Sequence, residues 1–511
     1  MTDPVPVLSE FRSQVARRLG LWFEDHRQEF LAGILDERSA AHGRGPAGYL
    51  QWLAASDARE EWQALAGRLT VAETYFLRGA DHFHALVKTV LPRCVGRPAG
   101  SRALRVLSAG CASGEEPYSI AISLRETPAA TGGRPVEIVA VDVNPAMLAR
   151  ARAGRYSEWA LRETPPEIRR RYFRASRSEF MLDESIVAMV AFRQLNLAEP
   201  NDDLWQPGAF DAIFCRNVLM YFMPETAAAV VGRIERALAP CGCLFLGHAE
   251  TLRGLSQAFH LRRDQSAFYY ELKDAAEDRS EPAGASRAAP SPRAAAAQSD
   301  PATAPEPSAA TEWMDEISRA SLRIANLAAA APAASPAAAN RAAGAHGWRR
   351  VLDLHQQERF TEALTHLQQL PAGAAPDTDL QILQAMLLVN CGRLAEAEDL
   401  CRPLLERDEL NAAVHYVVAL CREHAGDLAA AEEHDAAAAY LDPSFAMPRF
   451  HLGRLARQLG RTSDALVHLE AALTLLVKED PLRLLLFGGG FSREALVQAC
   501  RGEIRRLPLA P

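Results

Sequence analysis

A chain of 511 residues exceeds what one hydrophobic core supports, so several domains joined by linkers are expected. The net charge of −8, from 56 basic and 64 acidic residues, is poor material for a surface that must neutralise many phosphates, which argues against nucleic acid as a partner. The nine scattered cysteines predict reduced thiols and no zinc site, and neither a secretory h-region nor an apolar run near the ~20 residues of a membrane span is found, which predicts a cytoplasmic chain without membrane insertion.

Up to about residue 90, apolar residues recur three and four apart in FRSQVARRLGLWF, EFLAGILDERSAA, YLQWLAA, EEWQALAGRL and FHALVKTVLPRCV. This spacing, without strand alternation, predicts an α-helical N-terminal domain over 1–90. Residues 91–273 change character, because the apolar runs ALRVLSAG, VEIVAVD, FRQLNL, FDAIFCRN, CLFLGHAE and SAFYYEL now alternate with helical patterns. That order predicts a mostly parallel sheet in a Rossmann-like α/β domain.

Residues 274–345 are dominated by alanine, proline and serine, which cannot bury enough surface to offset backbone ordering, so a disordered linker is expected. Its interruption, EWMDEISRASLRIANL, reads as a transient amphipathic helix in a tether, with a docking segment as the alternative. Over 346–511, ERFTEALTHL, GRLAEAEDLC, GDLAAAEEHD and GRTSDALVHL match when shifted by 34 residues. Ala363, Ala397, Ala431 and Ala465 recur in register, as do Gly392, Gly426 and Gly460, while Pro443 falls between repeats. The pattern resembles a tetratricopeptide array of about four repeats closed by a helix such as REALVQACRGEIRRL, an architecture that binds a protein partner on its concave face. The whole chain is thus a multidomain α/β plus all-α protein.

The most informative stretch is LRVLSAGCASGEEPYSIAISL, where a strand runs into a loop carrying Gly110 and Gly114 and then into a helix with Pro117 in its first turn. A nicotinamide-type loop needs G-x-G-x-x-G, whereas this one is followed at once by Glu115 and Glu116. Two carboxylates oppose a pyrophosphate but suit a cofactor bearing a sulfonium and an ammonium group. Asp142, ending VEIVAVD, has the acceptor capacity for both hydroxyls of a ribose; helix capping is its other reading. Asn196 and Leu197 are placed beside an adenine, although Asn196 also suits a turn, and FCRNVLMYF ends a further strand.

Taken in order, TVAETYFLR, SAGCASGEEPYSIAISL, AVDVNPAMLARARAGRY, NL and FDAIFCRNVLMYF resemble the CheR-type chemoreceptor glutamate methyltransferases over roughly residues 8–273. The resemblance implies a helical N-terminal domain, an S-adenosylmethionine-binding α/β domain with a small antiparallel β insertion in Arg171–Phe192, and methyl transfer to glutamates on receptor helices. It implies that Thr74, Arg78, Glu116, Asp142, Asn196, Leu197, Arg216 and Asn217 surround the cofactor, and that Arg78 and Tyr221 face the methyl and its acceptor. Ala72 and Leu77 depart from the family pattern, and the insertion is short for members that clasp a receptor's C-terminal peptide. Fusion to tetratricopeptide repeats is known in a subset of the family.

A glutamate carboxylate is ionised near pH 7, so methylation needs no general base, and an arginine at position 78 can orient it in a two-pronged geometry. In isolation Arg78 also reads as a surface ion pair and Tyr221 as a buried aromatic. Two rival functions fit the sequence less well. Methyltransferases of DNA bases or glutamine amides commonly carry an N-P-P-Y type tetrapeptide, absent after FDAIFCRNV; a non-catalytic repeat scaffold with a degenerate α/β domain sits poorly with the intact loop, Asp142, Arg78 and Tyr221.

Overall fold

The computed structural model describes residues 4–55, 58–70, 73–96, 102–176, 179–248, 250–265, 267–273, 350–369, 378–489 and 491–507. The linker expected at 274–345, the segment EWMDEISRASLRIANL and Ala72 lie outside the described residues. The chain divides into two compact units, the first carrying all the described strands and the second a run of helices from residue 350 onward.

The first unit begins with four helices, α1 (Pro4–Leu19), α2 (Gln28–Ala41), α3 (Pro46–Ala55) and α4 (Arg59–Leu69). Phe11, Val15 and Leu19 stand four apart on α1 and are buried, joining Leu31, Leu35, Tyr49, Leu53 and Leu65 in one core. Val143, Tyr221 and Phe222 pack against that core from the α/β domain. The bundle is also tied on by backbone: Leu21 bridges Phe222, and the Trp22 N–H donates to the Tyr221 carbonyl at 2.7 Å. The last apolar stretch read as part of the helical domain packs elsewhere. Helices α5 (Ala80–Ala85) and α6 (Leu91–Val95), joined by a π turn over Leu86–Val90, bury Phe83, Leu86, Val90 and Leu91 among the side chains of the sheet.

The sheet has seven strands in the order β6-β2-β1-β7-β8-β10-β9. They are β1 (Leu104–Ala109), β2 (Val136–Asp142), β6 (Val190–Gln194), β7 (Phe210–Cys215), β8 (Leu238–Leu246), β9 (Phe259–Asp264) and β10 (Ala267–Leu272). The first five in spatial order are parallel and β10 runs antiparallel to both of its neighbours. Every residue of β7 is buried, as a parallel strand covered on both faces requires. Between them run α7 (Glu115–Glu126), α8 (Pro145–Ala153), α9 (Pro166–Tyr172), α10 (Glu184–Val187) and α11 (Pro224–Ala237). Because the chain moves outward from β1 to β2 on one side and places β7 on the other, the strand order reverses at β1, which opens a crevice at the carboxyl ends of β1, β2 and β7.

The β insertion differs from the expected span. It is a three-stranded antiparallel sheet of β3 (Arg155–Tyr156), β5 (Glu179–Leu182) and β4 (Phe173–Ser176) in that spatial order. It therefore starts before Arg171, and Val190–Phe192 belong to the large sheet, where Ile138 of β2 pairs with Val190. A contiguous apolar run cannot say which of two sheets receives it.

In the second unit, helices Phe360–Gln368, Leu394–Arg407, Leu428–Leu441 and Thr462–Leu476 start 34 residues apart. They alternate with Thr378–Asn390, Ala412–His424 and Ala446–Gln458. The four in-register alanines, 363, 397, 431 and 465, are fully buried where paired helices meet. Pro481–Phe487 and Arg493–Arg505 close the run, the latter being the expected terminal helix. This is the tetratricopeptide-like array expected from the repeat.

Candidate functional site

Two adjoining cavities occupy the crevice and share Gly110, Ala112 and Asn217. The larger, about 750 Å³, is lined by Asp142, Asn196, Leu197 and Tyr221, and is roofed by Leu19, Leu21, Phe23, Leu69 and Thr70 of the helical bundle. The smaller, about 490 Å³, is lined by Thr74, Tyr75, Arg78, Cys111, Glu116 and Arg216. Arg78 and Tyr221 thus line different cavities, one on each side of the shared residues.

Gly110 sits at the end of β1 with φ +79°, and a Cβ there would lie 2.4 Å from Val218 Cγ2, so the loop admits only glycine at that approach. Gly114 lines neither cavity. Its missing Cβ lets Ala151 of α8 and the Tyr118 and Tyr156 side chains close on the helix start. The two successive carboxylates also part company. Glu115 turns away to accept from Ser113 Oγ at 2.8 and 3.0 Å, and burial pushes its carboxyl up to about 7. Glu116 faces the smaller cavity, accepting from Ser108 Oγ at 2.7 Å and pairing with Arg216 Nη1 at 3.2 Å. Burial raises its pKa, and the Arg216 charge opposes the rise.

Arg216 is itself buried, which lowers its pKa against the pull of Glu116. Its Nη2 donates to the Arg78 carbonyl at 2.6 Å, and its buried Nε has no hydrogen-bond partner among the described residues. Asp142 accepts from the Ala112 N–H through Oδ2 and from the Asn144 N–H through Oδ1, both at 2.8 Å. Burial raises its pKa and these backbone donors counter it. The cap of α8 is Asn144, whose side chain accepts from the Ala146 and Met147 N–H groups, so the helix-cap reading of Asp142 does not hold. Asn196 Oδ1 accepts from the Ala198 N–H at 3.0 Å in a turn, and the residue also lines the larger cavity. Arg78 has its Nη1 3.4 Å from the Glu73 carbonyl and its guanidinium 5.7 Å from the Tyr75 ring; among the described residues no carboxylate pairs with it.

Backbone strain concentrates here. Leu77, Ala112 and Asn217 have φ of 59°, 45° and 57°, a left-handed conformation costing roughly 1–2 kcal/mol per residue without glycine. Each has its N–H held by a side-chain oxygen: Ser119 Oγ at 2.9 Å for Leu77, Asp142 Oδ2 for Ala112 and Glu250 Oε2 at 2.5 Å for Asn217. Nothing in the local sequence marks Ser119, Glu250 or the roof residues of α1 and α4, because their contacts are made across the fold.

A family model described as "CheR methyltransferase, SAM binding domain" matches residues 72–268. Chemotaxis protein methyltransferase 2 of Vibrio cholerae is 34% identical over 265 residues, which cover 51% of this chain and 91% of the relative. The chain belongs to the CheR methyltransferase family. Chemotaxis protein methyltransferase of Salmonella typhimurium is 34% identical over 48% of this chain and 84% of its own, and chemotaxis protein methyltransferase 1 of Pseudomonas aeruginosa is 37% identical over 40% and 75%. Among solved structures, "MamA MSR-1 C2" aligns with 32% of this chain and 92% of that one at 18% identity and a TM-score of 0.23, too slight a likeness to carry any argument.

The enzyme is therefore an S-adenosylmethionine-dependent methyltransferase acting in chemotaxis, and its crevice fits that cofactor. A cavity-lining carboxylate at the end of β2 (Asp142), a buried carboxylate (Glu116) and a buried guanidinium with an unmet N–H among the described residues (Arg216) match the hydroxyls, the ammonium and the carboxylate of S-adenosylmethionine in kind.

Proposed function

We propose that this enzyme esterifies glutamate side chains on the cytoplasmic helices of a chemoreceptor-like signalling protein, and that its repeat array recruits a separate protein partner. Arg78 carries the reading: it lies in the wall of the smaller cavity and has no carboxylate partner among the described residues, which leaves its guanidinium for an incoming acceptor. Relatives that bear the name chemotaxis protein methyltransferase have 75% or more of their length covered by the chain, which supports a chemosensory substrate.

In this reading Asp142, with Asn196 and Leu197 beside it, holds the ribose and adenine end of the cofactor, while Gly110, Thr74, Glu116, Arg216 and Asn217 hold the methionine end. The bound cofactor supplies an electrophilic methyl group. The acceptor carboxylate is ionised at neutral pH, so the protein has no proton to remove and its task is placement. Arg78 orients the carboxylate through two parallel N–H donors; Glu116 offsets the Arg216 charge, so that a single guanidinium is left to face the acceptor. Tyr221 closes the larger cavity, across Gly110, Ala112 and Asn217 from Arg78. The bundle roof excludes water from the cofactor's apolar end.

The test is transfer of radiolabelled methyl from S-adenosylmethionine to a purified coiled-coil receptor fragment. A base-labile ester on glutamate is expected. Label that survives alkali means nitrogen or carbon methylation and overturns the reading.

A further inference from the structure

We propose that Glu250 is a positioning residue of the methyl-donor site, its carboxylate setting the conformation of the loop after β7. This rests on the reading that the two cavities hold S-adenosylmethionine. Glu250 lines neither cavity and is buried, yet its two oxygens collect four backbone N–H groups. Oε2 accepts from Asn217 at 2.5 Å and from Gly247 at 2.8 Å; Oε1 accepts from Val218 at 2.8 Å and Met220 at 3.3 Å. A carboxylate offers about four acceptor positions, so this one is fully committed to backbone.

What it holds is the working loop. Arg216 pairs with Glu116, Asn217 lines both cavities, Val218 packs against Gly110, and Tyr221 closes the larger cavity. Asn217 stands at φ +57°, and the Glu250 bond is on that same residue's N–H. Ser119 and Asp142 do the same for Leu77 and Ala112, so the clamp is one of three that stabilise left-handed residues around the crevice. The turn that presents Glu250 is closely packed. A Cβ on Gly247 would lie 2.8 Å from both Asn217 Nδ2 and Glu250 Oε2. Glutamine cannot replace the carboxylate, because its amide NH₂ would face N–H donors instead of accepting from them.

Calorimetry of S-adenosylhomocysteine binding to the full chain tests this on wild type, Glu250→Gln, Asn217→Gly and the double variant, with thermal melts confirming folding. Glu250→Gln is expected to weaken binding about tenfold or more, the worth of one hydrogen bond to a charged group. In the Asn217→Gly background the same change is expected to cost only about threefold, because glycine reaches positive φ unaided. No loss in Glu250→Gln, or an equal loss in both backgrounds, overturns the positioning role. Should Glu250→Gln fail to fold, Gly247→Ala carries the test: its Cβ displaces the Asn217 amide and should weaken binding by a similar factor, and unchanged affinity overturns the proposal. A wild-type chain that does not bind S-adenosylhomocysteine sinks the cofactor-site reading instead, which separates the two failures.

Discussion

Arg78 and Asp142 are the residues whose substitution distinguishes placement of the acceptor from binding of the cofactor. Arg78→Lys keeps the charge but loses the planar fork, so transfer to receptor should fall on the order of 100-fold while S-adenosylhomocysteine affinity stays within about threefold. Equal losses in both would make Arg78 an ordinary binding residue. Asp142 accepts from the Ala112 N–H besides facing the larger cavity, so Asp142→Ala removes a ligand acceptor and a support for the left-handed Ala112 together. Calorimetric affinity should drop by about 10- to 100-fold, and an unchanged value would remove Asp142 from the site. Both side chains are legible from sequence because they sit inside contiguous motifs. The strain beside them is not, since Leu77 and Ala112 are ordinary residue types whose φ is imposed by partners 42 and 30 positions away.

At the scale of elements, the bundle that roofs the cofactor crevice has a polar tie at its centre. Glu61 of α4 accepts from Arg38 at 2.8 and 2.5 Å and from the Tyr49 hydroxyl at 2.5 Å, and His42 Nε2 lies 2.8 Å away. Burial works to raise the Glu61 pKa, but the Arg38, Tyr49 and His42 hydrogen bonds outweigh it and bring the carboxyl down to about 2. A carboxylate with a depressed folded-state pKa contributes stability above its unfolded value and loses it as pH falls through the folded one. The melting-temperature gap between wild type and Glu61→Gln should accordingly be widest near pH 7 and narrow as pH falls from about 4.5 towards 2. A gap independent of pH would show that the tie acts through shape alone.

The repeat array offers a second element-scale test. Gly392, Gly426 and Gly460 adopt φ of 74°, 83° and 75° at the turn within each repeat, and the residue 34 positions before Gly392 is Glu358, held at φ 57°. The N–H groups of Arg359, Arg393, Asp427 and Arg461 each bond five residues back, so all four turns have one geometry. Glu358→Gly should stabilise the array by about 1 kcal/mol, seen as a higher denaturant midpoint, because glycine relieves the left-handed strain that glutamate bears. A lower midpoint would mean that the turn tolerates Glu358 for the sake of its side chain.

On the scale of the whole molecule, the buried clusters of the first unit draw on residues from Phe11 to Tyr269, so a chain ending at Lys273 should fold and bind S-adenosylhomocysteine. Loss of a cooperative thermal transition in that truncation would show that the catalytic unit depends on residues beyond Lys273. The repeat array is legible in advance because its 34-residue register is written in local punctuation: a glycine at three of the four turns and an alanine at each helix crossing. The catalytic half is legible where a motif is contiguous, as from Ser108 to Leu124 or from Phe214 to Phe222.

By itself the sequence determined the fold class and the 34-residue repeat period, since periodicity and turn residues are local properties, and its contiguous motifs carried the family resemblance that names the cofactor. Only the tertiary structure decided that Glu116 faces the crevice while Glu115 does not, that Gly114 admits Ala151 of α8 at the helix start, that Val190 joins the large sheet, and that Glu250 reaches back to Asn217. Each of these depends on which distant segment arrives to fill a space or accept a hydrogen bond. Spacing along the chain carries no record of such meetings, because they are set by close packing across the fold.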